Sequence, residues 1–135
     1  MKTLLMLALF ATAAANAGPP DAFLSNLELL CGKAFEGRLV ASPDGDMEGE
    51  RLLMHVRECS GERIRIPFVV GDNLSRTWVL TRVGERFELK HDHRDRDGER
   101  FVYYVRRLAT GRYYHVEFDL AEPVDPPPAP WGWAD

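Results

Sequence analysis

Apolar and polar side chains alternate along most of the chain after residue 35, and this period of two constrains the fold more than any other feature of the sequence. Successive side chains of a β-strand point to opposite faces of a sheet, so the alternation predicts strands with one apolar and one polar face. In the last such stretch, Tyr114, Val116 and Phe118 would share one face. The candidate strands are 35–41, 51–59, 64–70, 77–82, 87–91, 101–108 and 113–120.

Short glycine-containing segments separate these strands at nearly regular intervals, for example at Ser60-Gly61, Gly84 and Asp97-Gly98. Such links are typical of hairpins between antiparallel strands. We therefore predict a mainly β fold, in which an antiparallel meander forms a curled sheet or a small calycin-like barrel. A two-sheet sandwich is the alternative.

One N-terminal amphipathic helix is predicted before the strands. Asp21 is suited to cap its start, and Gly32 is suited to end it. Its apolar residues recur at helical spacing: Phe23, Leu24, Leu27, Leu30 and Cys31. We expect this apolar stripe to pack on one opening or face of the sheet.

The first 17 residues have the pattern of a secretory signal peptide. Lys2 supplies the positive charge, an apolar run follows over 4–15, and Ala15-Asn16-Ala17 offers small residues at a cleavage site. The run is shorter than the roughly 20 residues that cross a bilayer, so no membrane anchor is expected after cleavage. We predict a secreted or periplasmic protein with a single β-rich domain over 18–122.

The chain has two cysteines, Cys31 and Cys59. Exported proteins mature where thiols oxidise, so we predict a disulfide between them, which would tie the helix to the second strand. Two free thiols or an intermolecular bridge are the alternatives. The prediction depends on the interpretation of the first 17 residues as an export signal.

Charge and motifs exclude several function classes. Lys and Arg together number 17 against 21 for Asp and Glu, giving a net charge of −4, whereas nucleic-acid binding needs a positive field. The sequence has no Gly-x-Ser-x-Gly elbow, no His-Glu-x-x-His pair and no glycine-rich phosphate loop. A non-enzymatic function is favoured.

Aromatic residues suggest the leading hypothesis, which is binding of a small apolar or amphipathic ligand. Small β-barrels hold such ligands in an aromatic-lined interior, although the same rings also serve as ordinary core. The candidate ligand-binding residues are Trp78, Phe87, Tyr103 and Tyr114.

Two histidines suggest a second hypothesis, a site for a divalent transition metal. On a strand, His91 and His93 project to the same face and offer two imidazoles to one ion. A third ligand would have to come from His55, His115 or Glu117. The simpler interpretation is a polar hairpin that turns at Asp97-Gly98.

The C-terminal tail, residues 123–135, is rich in proline and carries Trp131 and Trp133. Such a segment is suited either to dock on a partner protein or to fold back over the sheet edge. Folding back is favoured because the two indole rings would otherwise be in water. An envelope protein-interaction module that uses this tail is the third hypothesis.

Four segments, 30–37, 53–59, 76–82 and 90–94, resemble an uncharacterised family of bacterial secreted proteins. The resemblance covers nearly all of the chain after the signal peptide. It implies export and bacterial origin, and it brings no established activity. Relatives carry an additional segment between the Asp97-Gly98 turn and the strand at Phe101, so it also implies a shorter sheet or barrel wall here.

Overall fold

The computed structural model describes residues 19–97, 99–104 and 114–133; the predicted signal peptide lies outside these ranges. Within them the chain forms one helix, α1 (Pro19–Glu28), followed by eight strands. The strands are β1 (Ala34–Ala41), β2 (Leu52–His55), β3 (Glu58–Cys59), β4 (Arg63–Val70), β5 (Asn73–Val83), β6 (Arg86–Arg94), β7 (Arg100–Tyr104) and β8 (His115–Phe118).

The strands form one antiparallel sheet that curls into a half-barrel, which confirms the predicted mainly β fold. The order across the sheet is β7-β6-β5-β4-β2-β1-β8, and β3 pairs with β4 beside this path. From β4 to β7 consecutive strands are neighbours, as in a meander. The last described strand instead returns to pair with β1.

Most predicted strands are present with shifted ends, and one is divided. The predicted strand 51–59 is two short strands, because the backbone changes partner between them. The Val56 N–H donates to the Lys33 carbonyl, whereas the Arg57 N–H donates to the Arg65 carbonyl. The predicted hairpin between β6 and β7 is present, although Gly98 itself lies outside the described residues.

The main apolar core lies on the concave face, where α1 covers one end of the sheet. Its buried members are Leu24, Phe35, Met54, Val56, Ile64 and Ile66. Cys31 and Cys59 form the predicted disulfide, with their Cα atoms 6.2 Å apart. By the chain-entropy model a loop with a sequence separation of 28 residues gives about 3.6 kcal/mol of stability. Arg82 also donates to Asp21, so the helix is held at both ends.

The opposite, convex face is buried as well, which the alternation did not predict. All four residues of β2 are buried, and so are Ser75, Thr77 and Val79 on the convex side of β5. Alternation had predicted one wet face for each strand. The difference arises from the tail, which lies across this side of the sheet.

The tail folds back onto the sheet, as the sequence favoured. The Val124 N–H donates to the Ala34 carbonyl at 2.9 Å, and the Trp131 N–H donates to the Leu74 carbonyl at 3.1 Å. Pro130 between them is buried. The tail therefore covers the strands much as a second layer would.

No helix among the described residues has the length and apolar character that a membrane crossing requires.

Candidate ligand-binding site

Two rows of side chains cross the part of the concave face that includes β4, β5 and β6. The strand register places Arg76 between Phe68 and His93 in the first row. It places Trp78 between Ile66 and His91 in the second row. Directly opposite residues of an antiparallel sheet have Cβ atoms about 5 Å apart, so each row is a set of contacting neighbours.

An aromatic stack forms the apolar part of this surface. The Phe68 and Trp78 rings stack with centroids 4.6 Å apart and an interplanar angle of 15°, and Phe118 meets Phe68 edge-on at 6.3 Å. Phe68 is only 3% exposed, whereas Trp78 is partly exposed. Trp78 is therefore the accessible member of a buried stack.

In a sheet that encloses a solid core, the concave side chains are buried and the convex ones are exposed. Strand β5 shows the reverse. Arg76, Trp78 and Leu80 on the concave side are partly exposed, whereas their neighbours Ser75 and Thr77 on the convex side are 3% and 2% exposed. The curvature of the half-barrel and the position of α1 leave this end of the concave surface reachable from solvent.

His91 and His93 project to the same face of β6, as predicted, and their rings stack with centroids 5.8 Å apart. Burial, followed by the charges of His93 and Arg76, lowers the pKa of His91 to about 4 against an opposing effect of Asp92. Burial and Arg76 also lower the pKa of His93. Both imidazoles are therefore neutral at pH 7.

Arg76 is the one permanent charge in these two rows. Its Nη1 atom is buried and has no hydrogen-bond acceptor among the described residues. The ion pairs found in the described ranges use other arginines or, in one case, His115. A guanidinium cannot lose its proton in a protein, so burial leaves it charged and in need of acceptors.

The acidic residue between the two histidines faces the other way. Asp92 is 2% exposed on the convex side, where it accepts hydrogen bonds from Arg100 at 2.8 Å and from Arg94 at 3.3 Å. Burial alone would raise the pKa of Asp92, but the hydrogen bonds and charges of the two arginines outweigh burial and lower it. Asp92 therefore belongs to a separate, charge-compensated cluster.

The proposed third metal ligands are not beside the histidine pair. His55 lies on the convex side of β2, and His115 and Glu117 lie on β8 at the far end of the strand order. Within the described ranges no three His, Cys, Asp or Glu residues are grouped closely enough to hold a metal ion.

The four predicted ligand-binding residues occupy different places. Trp78 lies in the site, and the Tyr103 backbone pairs with His91 in the next strand. Phe87 contacts Phe23 of α1, with ring centroids 5.5 Å apart. Tyr114 is 44% exposed, and its hydroxyl donates to the Asp44 carboxylate at 2.6 Å.

Sequence reasoning did not select Phe68 or Arg76. Both stand at inward positions of the alternation, Phe68 with Ile66 and Arg76 with Trp78. A charged residue in the register of an apolar face is the signal that could have identified Arg76.

A second depression of about 490 Å³ lies at the β1–β8 pair. Its lining is Glu36, Gly37, Arg38, Glu117, Phe118 and Asp119. Arg38 pairs with Glu117 there at 2.5 Å and Glu36 pairs with Arg51 at 3.2 Å, so Asp119 is the acid of this lining that forms no ion pair with a described residue. An added Cβ at Gly37 would stand 2.7 Å from the Val116 side chain, which shows how closely β8 approaches β1.

Comparisons with known proteins found no match: no family model, no curated protein and no solved structure is similar enough to this chain. The geometry of the concave face therefore carries the functional argument.

Proposed function

We propose that the protein is an exported, non-enzymatic β-domain that binds a small amphipathic ligand on its concave face. The observation that carries the proposal is the partly exposed Trp78, stacked on the buried Phe68 and flanked by Arg76. An apolar platform beside a few convergent polar groups is the usual composition of a small-molecule site.

The curvature of the sheet supports this use of the surface. A concave sheet buries more of a small ligand than a flat one does, and α1 closes one end of the groove by packing on Ile64 and Ile66. A ligand along the groove would have its apolar part against Trp78 and Phe68.

Export is the second part of the proposal. The disulfide between Cys31 and Cys59 is compatible with an oxidising compartment and occupies both thiols of the chain. The pattern of the first 17 residues and the resemblance to bacterial secreted proteins point the same way. Export would be contradicted if the protein stayed in the cytoplasm of the cells that produce it and both of its thiols could be alkylated after purification.

Tryptophan fluorescence tests the binding site directly. Trp78 can be made the single fluorophore by replacing the other two tryptophans, as Trp131→Phe and Trp133→Phe. Titration with twelve-carbon amphiphiles below their micellar concentrations should then give a saturable blue shift. Trp78→Leu in the otherwise natural chain should weaken binding at least 10-fold by calorimetry, and Trp131→Phe alone should leave it unchanged.

The proposal would be overturned if the fluorescence titration showed no saturation with any of the amphiphiles, whatever the charge of their headgroup. Equal affinities for the natural protein and Trp78→Leu would show that binding occurs elsewhere on the molecule, for example at the β1–β8 depression.

The two other hypotheses have less support. A divalent cation at His91 and His93 would lie beside the positive charge of Arg76, which opposes its binding. Equal metal content in the natural protein and the double variant His91→Ala/His93→Ala would remove this hypothesis. In the tail, the rings that would contact a partner are occupied, since Trp133 lies under Arg65 and Trp131 lies under Arg96.

A further inference from the structure

We propose that the ligand carries a carboxylate headgroup and that Arg76 binds it, beside His93 and His91 of the neighbouring strand. This inference rests on the proposed function and names the chemical class of ligand for the same concave site. It depends on where Arg76 lies, what surrounds it, and how far it is from the aromatic stack.

The charge of Arg76 is uncompensated within the part of the chain that the structure describes. Asp92 projects to the opposite face and is bound by Arg100 and Arg94. Asp95 accepts the backbone N–H groups of Asp97 and Glu99 in the turn after β6. Both acids therefore have hydrogen-bond partners elsewhere, although Asp95 is close enough to His93 to raise the pKa of that imidazole.

A cation that is partly removed from water and has no counterion is costly, and an anionic ligand would offset that cost. Five N–H groups in a planar fork also make a guanidinium well suited to the two oxygens of a carboxylate. The Nη1 atom already lacks contact with solvent and lacks an acceptor among the described residues. Arg76 as a whole is partly exposed, and an anion at the exposed part of its side chain would supply the countercharge that the described residues do not.

The histidines complete an arrangement that favours an anion over a cation. His93 lies directly across from Arg76, and His91 lies two residues further along the same strand face. A neutral imidazole adds no charge of its own, so Arg76 remains the charged group of these two rows and sets their preference for an anion.

The spacing fits an amphiphile. Arg76 and Trp78 are two residues apart on one strand face, which corresponds to about 7 Å along β5. Phe68 lies directly across from Arg76 and stacks on Trp78. A headgroup at Arg76 would therefore place the first few carbons of the attached chain on the aromatic stack.

Three probes with the same twelve-carbon chain separate the headgroup from the apolar contribution: dodecanoate, dodecanol and dodecyltrimethylammonium. Titration calorimetry of the purified full protein at pH 7.5, below the micellar concentration of each probe, should give dodecanoate at least a 10-fold tighter Kd than dodecanol. The ammonium probe should bind most weakly.

Variants at Arg76 assign the preference to one residue. Arg76→Met, which keeps the length and apolar stem of the side chain, should reduce dodecanoate to the affinity of dodecanol and leave dodecanol unchanged. Arg76→Lys, which keeps the charge and loses the fork, should retain part of the preference. Arg86→Met, an exposed arginine at the start of β6, is the matched control and should change nothing.

The outcomes are distinguishable. Equal affinities for dodecanoate and dodecanol, or a preference that survives Arg76→Met, would overturn the carboxylate site and leave the proposed function standing. No binding of any probe would overturn both. If Arg76→Met failed to fold, the three-probe comparison on the natural protein and the Arg76→Lys result would still decide the question.

Discussion

The charged side chains on the two faces of strands β5 and β6 differ in whether they are paired with an opposite charge. On the convex face, Asp92 is buried and receives hydrogen bonds from Arg100 and Arg94. On the concave face, Arg76 lies beside two neutral histidines and forms no ion pair with a described residue, although Asp95 acts on His93 nearby. Neighbouring residues on the same strands thus lie in one matched and one unmatched environment.

The tail accounts for the matched side. Arg94 donates through Nη1 to the Gly132 carbonyl at 2.8 Å while it also contacts Asp92. Arg65 lies 3.8 Å and Arg57 lies 5.7 Å from the centre of the Trp133 ring. These contacts hold the tail in place, so the convex charges serve structure. The concave charge has no such use among the described contacts, and this contrast favours a ligand role.

Among the changes considered, removal of the tail should lower the free energy of unfolding most. Deleting residues 123–135 would expose the convex face and remove two partly buried indole rings. We expect a loss of about 3 kcal/mol or more in the free energy of unfolding, since apolar burial contributes about 25 cal/mol per Å². Urea denaturation would measure it.

The control for the deletion is the double variant Trp131→Phe/Trp133→Phe, which keeps apolar rings on the sheet and should lose much less stability. A deletion variant with an unchanged urea midpoint would mean that the convex face does not need its cover.

Loss of the buried carboxylate should have the next largest effect. Asp92→Asn would leave Arg94 and Arg100 without their shared anion, and hydrogen bonds to charged groups contribute about 1.5 to 3 kcal/mol. Because Arg100 is 49% exposed and can turn to water, we expect a loss of about 2 kcal/mol in thermal or urea unfolding. Asp97→Asn in the exposed turn is the control. Equal stability of Asp92→Asn and the natural protein would show that the cluster is not stabilising.

Acid should affect the two faces in separate pH ranges. Since the pKa of His91 is lowered to about 4 by burial, His93 and Arg76, the unfolded chain binds the proton more readily than the folded chain does. Stability should therefore fall between about pH 6.5 and pH 4. A shift of this size corresponds to about 3 kcal/mol, and solvent around the partly buried ring should reduce the effect to about 1 to 2 kcal/mol. Asp92 acts in a lower pH range. Because its pKa is lowered, its contribution to stability is complete above the ordinary value of 3.8 and is lost only below that pH.

Stability curves of the natural protein and His91→Gln at several pH values would measure this separation. His91→Gln should remove much of the decline between pH 6.5 and 4 and leave the decline below pH 4. The groups that face His91 are His93 and Arg76, with Asp92 on the reverse of the same strand. An identical decline in both proteins would assign the effect to other groups, such as the buried His55.

Much of the fold could be predicted because its determinants are local. Alternation places His91 and His93 on one face, a turn sequence joins β6 to β7, and export favours the Cys31–Cys59 bond. Strand order is not a local property. The return of β8 to β1 separates Tyr114 from Trp78, although both have the periodicity of inward residues.

The candidate site was only partly predictable for the same reason. Trp78 was selected as an aromatic residue on an apolar face, but whether that face is covered depends on where α1 and the tail pack. Arg76 can be identified as a site residue only once the strand pairing is known, because β4 and β6 place Phe68 and His93 on either side of it. The burial of both sheet faces depends on contacts between residues nearly 70 positions apart, such as Arg65 with Trp133.

Neutralising Arg76 should have the smallest effect on stability, and its sign is the sharpest test of the contrast. Arg76→Met removes a charge that has no described counterion and keeps the apolar stem against Phe68. We expect a change within about 0.5 kcal/mol of zero, or a gain, because the substitution removes a partly buried charge and breaks no described ion pair. Thermal unfolding beside Asp92→Asn would compare the two faces directly. A loss of about 2 kcal/mol for Arg76→Met would show that Arg76 stabilises the fold as the convex charges do. The proposed difference between the two faces would then be wrong.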